Sequence, residues 1–236
     1  MGSRARQTEL VLRYSGRGGF RPGAGRPRKA RRTMPHRRRP QIAPRHPVHV
    51  TLRVRDEVWN LRSRRCFRAL ARAFAVGKER FGLRLIHFSV QGNHLHLIVE
   101  VVDAASLSRG MQGLCVRVAR GLNRLMDRRG VVFADHYHSR ILPSPTTLVN
   151  AIAYVLGNAA HHYGSGGPDP FCSSAYAAAE RERVLCRPQT WLLQSGWRRA
   201  RNIPLALRNS WQATPFEKSR FSRCPTMNRR LASIAA

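Results

Sequence analysis

Carboxylates are what this chain lacks most. Only 12 Asp and Glu stand against 43 Lys and Arg in 236 residues, a formal net charge of +31. That excess is far beyond what solubility requires and points to a polyanionic partner. No stretch approaches the roughly 20 apolar residues of a membrane span, so nucleic acid is the expected polyanion and no membrane partner is expected. The five cysteines (Cys66, Cys115, Cys172, Cys186, Cys224) are an odd number with no Cys-x-x-Cys pair. They read as reduced cytosolic thiols with no zinc site. The Arg-rich beginning has no apolar signal core, and its Gly and Pro would spoil an amphipathic presequence helix, so a cytoplasmic, nucleoid-associated protein is expected. No Walker glycine loop and no internal repeat are present.

What is there divides into four segments. Residues 1–46 form a basic arm rich in Gly, Pro and Arg that cannot build a core. Within it Gly25-Arg26-Pro27-Arg28-Lys29 resembles an AT-hook without its leading Arg, making Arg26, Arg28 and Lys29 candidate DNA contacts. The catalytic domain is expected over 47–165, an extension over 166–205 and a basic tail over 206–236. Residues 48–54 alternate as a strand, and 57–81 carry Val58, Leu61, Phe67, Leu70, Phe74 and Val76 at helical spacing. Arg62 and Arg65 lie among the arginines of that segment, which reads equally as a solvated face or a phosphate-tracking surface. Residues 83–90 read as a second strand and 106–129 as a second helix. Strand pieces follow at 131–133 and 137–142, the latter carrying Arg140. This β-α-β-β-α-β order, followed by one more helix, predicts an α+β fold. Its core is a ferredoxin-like split βαβ antiparallel sheet with helices on one face. Beyond it, 173–185 reads as a short helix, and Trp191, Trp197 and Trp211 sit in an irregular basic tail.

Two stretches carry chemistry. In residues 91–100 a Gly-Asn turn feeds a strand on which His94 and His96 project together while Leu95, Leu97 and Val99 project oppositely. Two imidazoles about 6–7 Å apart along a strand can share one metal ion or one phosphate. For an isolated His-x-His pair, surface exposure is the commoner meaning. In residues 145–164 Leu148, Ile152, Val155 and Ala159 make a buried helical stripe, with Ser144 or Thr146 as cap and Gly164 as stop. Tyr154 and Asn158, four apart, share a face of that helix and could meet the histidine pair. A helical Tyr more often merely packs with its hydroxyl wet.

Gly92-Asn93-His94-Leu95-His96-Leu97-Ile98-Val99 and Ala153-Tyr154-Val155-Leu156-Gly157-Asn158-Ala159 together resemble the HUH single-tyrosine transposases, most closely the REP-associated tyrosine transposases. The resemblance covers roughly residues 47–205. Many relatives have Pro where Ala159 follows Asn158, and His161 and His162 add imidazoles that the pattern does not place. The resemblance implies a divalent cation, Mg²⁺ or Mn²⁺, held by His94, His96 and Asn158. It implies Tyr154 as nucleophile on single-stranded or hairpin DNA, leaving a 5′-phosphotyrosine that stores the bond for rejoining without ATP. A phenol titrates near pH 10, so about one in a thousand is ionised at neutrality, and neighbouring cations favour the phenolate. Relatives differ on whether the tyrosine acts within its own subunit or across a homodimer, and the sequence does not choose. A basic nucleic-acid binder on the same sheet is the alternative. A water-activating hydrolase, with Glu100 or Asp135 as ligands, is a third reading.

Overall fold

The computed structural model describes residues 41–164 and 169–203; the basic arm with Arg26, Arg28 and Lys29, and the tail with Trp211, lie outside the described residues. Strand β1 (Val48–Arg53) leads to helix α1 (Arg64–Gly77), a two-residue strand β2 (Glu79–Arg80), β3 (Leu83–Val90) and β4 (His94–Val101). Helix α2 (Ala104–Leu125), β5 (His138–Ile141) and helix α3 (Pro145–Tyr163) follow, then short helices α4 (Ala178–Val184) and α5 (Trp191–Gln194). The antiparallel sheet runs β2-β3-β4-β1-β5, so the expected split βαβ core is present with one small strand added at its edge.

The two-residue period of the strands decides what each face does. On one face Val48, Val50 and Leu52 of β1 and Leu95, Leu97, Val99 and Val101 of β4 are buried with Leu70 and Phe74 of α1 and Leu107, Met111, Leu114 and Val118 of α2. Fully burying each such side chain contributes about 1.5–3 kcal/mol. On the other face Ile86 and Ile98 pack with Leu148, Val149, Ile152 and Val155 of α3 and with Leu192, Leu193 and Trp197. Helix α3 begins in a reciprocal cap. The Ser144 hydroxyl accepts from Thr147 N–H at 3.3 Å, and Ser144 N–H donates to Thr147 Oγ1 at 3.1 Å.

Helix α1 is shorter than its apolar spacing predicts. Ser63 caps it by accepting from Cys66 N–H at 3.2 Å, and Val58 and Leu61 reach the same core from turns. Val76 is exposed rather than part of the stripe. At the far end Phe81 and Gly82 both take positive φ (56° and 75°) in the two-residue turn from β2 to β3, where such a connection suits the sheet's twist. The segment expected to be an irregular tail is instead ordered on the sheet. Buried Glu100 of β4 accepts the Gln189 N–H at 2.9 Å and the Thr190 N–H at 2.7 Å, which also occupies it structurally rather than as a hydrolase ligand. Cys66, Cys115, Cys172 and Cys186 are free thiols. No described helix is long and apolar enough to cross a membrane.

Helix α2 reaches β3 across Gly110, where an added Cβ would stand 2.4 Å from Leu83 Cβ. Gly110→Ala is therefore expected to destabilise the protein by about 1–3 kcal/mol despite its better helix propensity. A thermal melt showing an unchanged or raised midpoint would contradict this contact.

Candidate functional site

The face of the sheet opposite α1 and α2 gathers the histidines. Register pairs Thr51 with His96 and Arg53 with His94 across β1 and β4, and His49 with Arg140 across β1 and β5. Directly opposed residues share a face, so His49, Thr51, His94, His96 and Arg140 lie together. The His94 and His96 rings stand 4.8 Å apart, centroid to centroid, at 90°. His96 is buried, and its Nδ1 meets His49 Nε2 at 3.2 Å and Thr51 Oγ1 at 3.3 Å. The His94 Nδ1 lies 2.9 Å from Asn93 Oδ1. An amide oxygen only accepts, so His94 donates from Nδ1, which leaves the lone pair of its neutral ring on Nε2.

Helix α3 lays Tyr154 across this group. Its ring is 5.2 Å from that of His96 at 84° and 6.2 Å from that of His49 at 67°, both edge-on contacts, and the residue is 49% exposed. Packing against the histidines thus coexists with access to solvent. Asn158, one turn further along, is buried, and its Nδ2 has no hydrogen-bond partner among the described residues. A buried amide left so costs about 1–3 kcal/mol, and a 180° rotation would present Oδ1 instead. A cation ligated by Oδ1 or a phosphate accepting from Nδ2 would relieve that cost. Among the described residues no three His, Cys, Asp or Glu are arranged to hold a metal ion. A metal at this site would rest on the His94–His96 pair completed by a neutral group, which the donors present fit.

The predicted phosphate contacts separate. Arg140 is exposed on the histidine face, and its charge, after burial, helps push the His49 imidazole below the usual range. Arg65 is exposed on α1, in the layer on the opposite side of the sheet. Arg62 is engaged within the protein. Its guanidinium donates to Asp169 at 2.7 and 2.9 Å and to the Val90 carbonyl at 3.0 Å, and lies 4.5 Å from the Phe171 ring centroid. A bidentate pair this enclosed is a structural tie, and removing one partner typically costs about 3–5 kcal/mol. Trp197 packs into the α3 core, whereas Trp191 is half exposed. His49 and Thr51 are the site residues that sequence reasoning passed over. Their signal was the alternation of 48–54, which puts both on the polar face of their strand.

No protein-family profile matches the chain, and no curated protein aligns with it. Among solved structures it is similar to a REP-associated tyrosine transposase bound to a REP hairpin. The TM-score is 0.50 at 13% identity, over 69% of this chain and 97% of that one. A candidate transposase from Deinococcus radiodurans R1 overlaps more weakly, with a TM-score of 0.36 at 15% identity over 46% of this chain and 87% of that one. The first of these likenesses shows a shared fold.

His87, on the histidine face two strands away from His49, titrates abnormally. Burial first and the Arg181 charge second push its imidazole from 6.5 down to about 3, while its Nδ1 lies 3.2 Å from Ser173 Oγ. Between those values the unfolded chain binds the proton and the folded chain does not. Stability from this group is therefore complete above pH 6.5 and is lost as pH falls towards 3, by up to about 1.4 kcal/mol per unit. Urea titrations at pH 7 and pH 5 should show a smaller acid loss in His87→Asn than in the wild type; equal losses would contradict a part-buried imidazole held neutral in the fold.

Proposed function

We propose that this chain cleaves and rejoins single-stranded or hairpin DNA through a covalent bond to Tyr154, as single-tyrosine transposases do. The observation that carries the proposal is the approach of a half-exposed Tyr154 ring to within 5.2 Å of His96, on the face that also bears His94. The shared fold with a REP-associated tyrosine transposase, itself solved with a REP hairpin, supports the substrate class. The +31 charge suits any DNA strand and supplies affinity without sequence preference.

In this mechanism Tyr154, its phenolic proton lost to solvent, attacks phosphorus in line through Oη, the bond to the 3′-oxygen breaks and that oxygen leaves as a 3′-hydroxyl after taking a proton from solvent, and the phosphate stays on the tyrosine as a 5′-phosphotyrosine. The attacked phosphodiester and the new ester are close in free energy, so a 3′-hydroxyl can reverse the step and rejoin the strand. A divalent cation, Mg²⁺ or Mn²⁺, held by His94, His96 and Asn158 would supply charge stabilisation at the phosphate oxygens. Imidazole nitrogens favour Mn²⁺ of the two. His49 and Thr51 hold the His96 ring from behind, and Asn93 fixes the tautomer of His94, so both rings are oriented before substrate arrives. Arg140 stands beside them as a phosphate contact.

Incubation with a 3′-labelled pool of single-stranded and hairpin oligonucleotides in Mn²⁺ should give a protein–DNA band that survives SDS. Tyr154→Phe should abolish that band while changing DNA affinity by less than about twofold, and a band persisting in this variant would reject the nucleophile. His94→Ala should cut the adduct by at least the roughly 10–100-fold that loss of a mere outer-shell partner costs. Free cut product without adduct would instead indicate a hydrolase, and a mobility shift alone a DNA-binding protein.

A further inference from the structure

We infer that the 3₁₀ turn after α5, Gly196–Arg199, is a second phosphate-binding surface that holds the DNA backbone well away from the cut. From Arg183 to Ile203 the chain has five arginines and no Asp or Glu. Arg198, Arg199 and Arg201 are exposed, and among the described residues no carboxylate pairs with Arg199 or Arg201. Three arginines within four residues call for anions at close intervals. A nucleic-acid backbone supplies such a row, and a single free phosphate does not.

Tryptophan backs two of the three guanidinium groups. The Arg199 Cζ lies 5.2 Å from the centroid of the Trp191 ring, and the Arg198 Cζ lies 5.1 Å from that of Trp197. Trp197 is buried against α3, whereas Trp191 is 50% exposed. A Cβ at 196 would stand 2.6 Å from Trp191 Cζ3, so the indole rests on bare backbone and the turn itself sets its position. An indole face attracts a guanidinium and leaves its in-plane N–H groups to reach phosphate oxygens. Long side chains held this way lose less rotamer freedom on contact. Leu192, Leu193 and Trp197 pack with Ile98 and α3, which puts the turn on the histidine side of the sheet. Glu100 accepts the N–H groups of Gln189 and Thr190, which puts the start of α5 by the end of β4 far from His94. Six residues of strand separate the two ends, about 20 Å at roughly 3.3 Å per residue. DNA rising 3.4 Å per nucleotide covers that in about six steps. This placement on the DNA rests on the proposed function, whereas the phosphate chemistry comes from the turn.

The test is equilibrium binding of the full chain to a labelled single strand of about 20 nucleotides in EDTA, read by fluorescence anisotropy between about 50 and 200 mM salt. Trp191→Leu keeps every charge and should still weaken binding about two- to fivefold, because Arg199 loses its backing. Arg199→Ala with Arg201→Ala should lower the slope of log affinity against log salt by about 1.4, at roughly 0.7 per phosphate contact on a single strand. Arg120→Ala with Arg124→Ala removes the same charge from exposed positions of α2, across the sheet, and should lower the slope by less than half as much. Wild-type affinity in a folded Trp191→Leu, or equal slopes in the two arginine pairs, would overturn the surface. Should Trp191→Leu unfold by circular dichroism, the two pairs still decide. These binding defects without an SDS-resistant adduct from the wild type in Mn²⁺ would defeat the cleavage proposal and leave the surface standing; an adduct without the defects would do the reverse.

Discussion

The alternation of β4 is the constraint on which the rest depends. Its odd-numbered residues from Leu95 to Val101 are buried against α1 and α2, so its even-numbered residues from His94 must face the other way. A slip of one residue would drive two imidazoles into the apolar core and turn four aliphatic side chains out, at a cost of several kcal/mol. Hydrophobic burial on one face thus fixes where the polar chemistry on the other stands. Helix α3 obeys the same logic. Leu148, Ile152 and Val155 dock it on Ile98, the residue of β4 next on the histidine face, and this leaves Tyr154 at the rim of the histidine group.

Preorganisation comes from β1 and the turn before β4. The His96 ring meets two side chains of β1, and His94 bonds the residue immediately before it. Neither orientation depends on long flexible side chains, so little conformational entropy of these rings remains to be lost. The C-terminal segment contributes to the same rigidity. Asp169 ties to Arg62 and the amides of residues 189 and 190 tie to Glu100, fastening chain from beyond α3 to the strands beneath.

Local periodicity made most of this legible. An alternating strand ending in His-x-His and a helix with an apolar stripe can both be read from side-chain spacing, and the order of elements implied the sheet. What could not be read is what depends on register or on distant partners. His49 looks like any histidine in an alternating strand until β1 and β4 are aligned, which brings it to a ring 47 residues away. Arg62 looked like one cation among many, because nothing local reveals that Asp169, 107 residues on, claims its guanidinium. The ordered segment around Trp197 was hidden for a similar reason. It is held largely by a carboxylate on another strand and by the face of α3, not by its own helix propensity.

The central claim is that one particular phenol reaches a DNA phosphate at the histidine face. Peptide mapping by mass spectrometry after reaction with a single-stranded oligonucleotide in Mn²⁺ tests it most directly. The account predicts a nucleotide-bearing peptide with the modification on Tyr154. Modification of Tyr137 or Tyr163 instead, or cleaved DNA with every tyrosine unmodified, would contradict it.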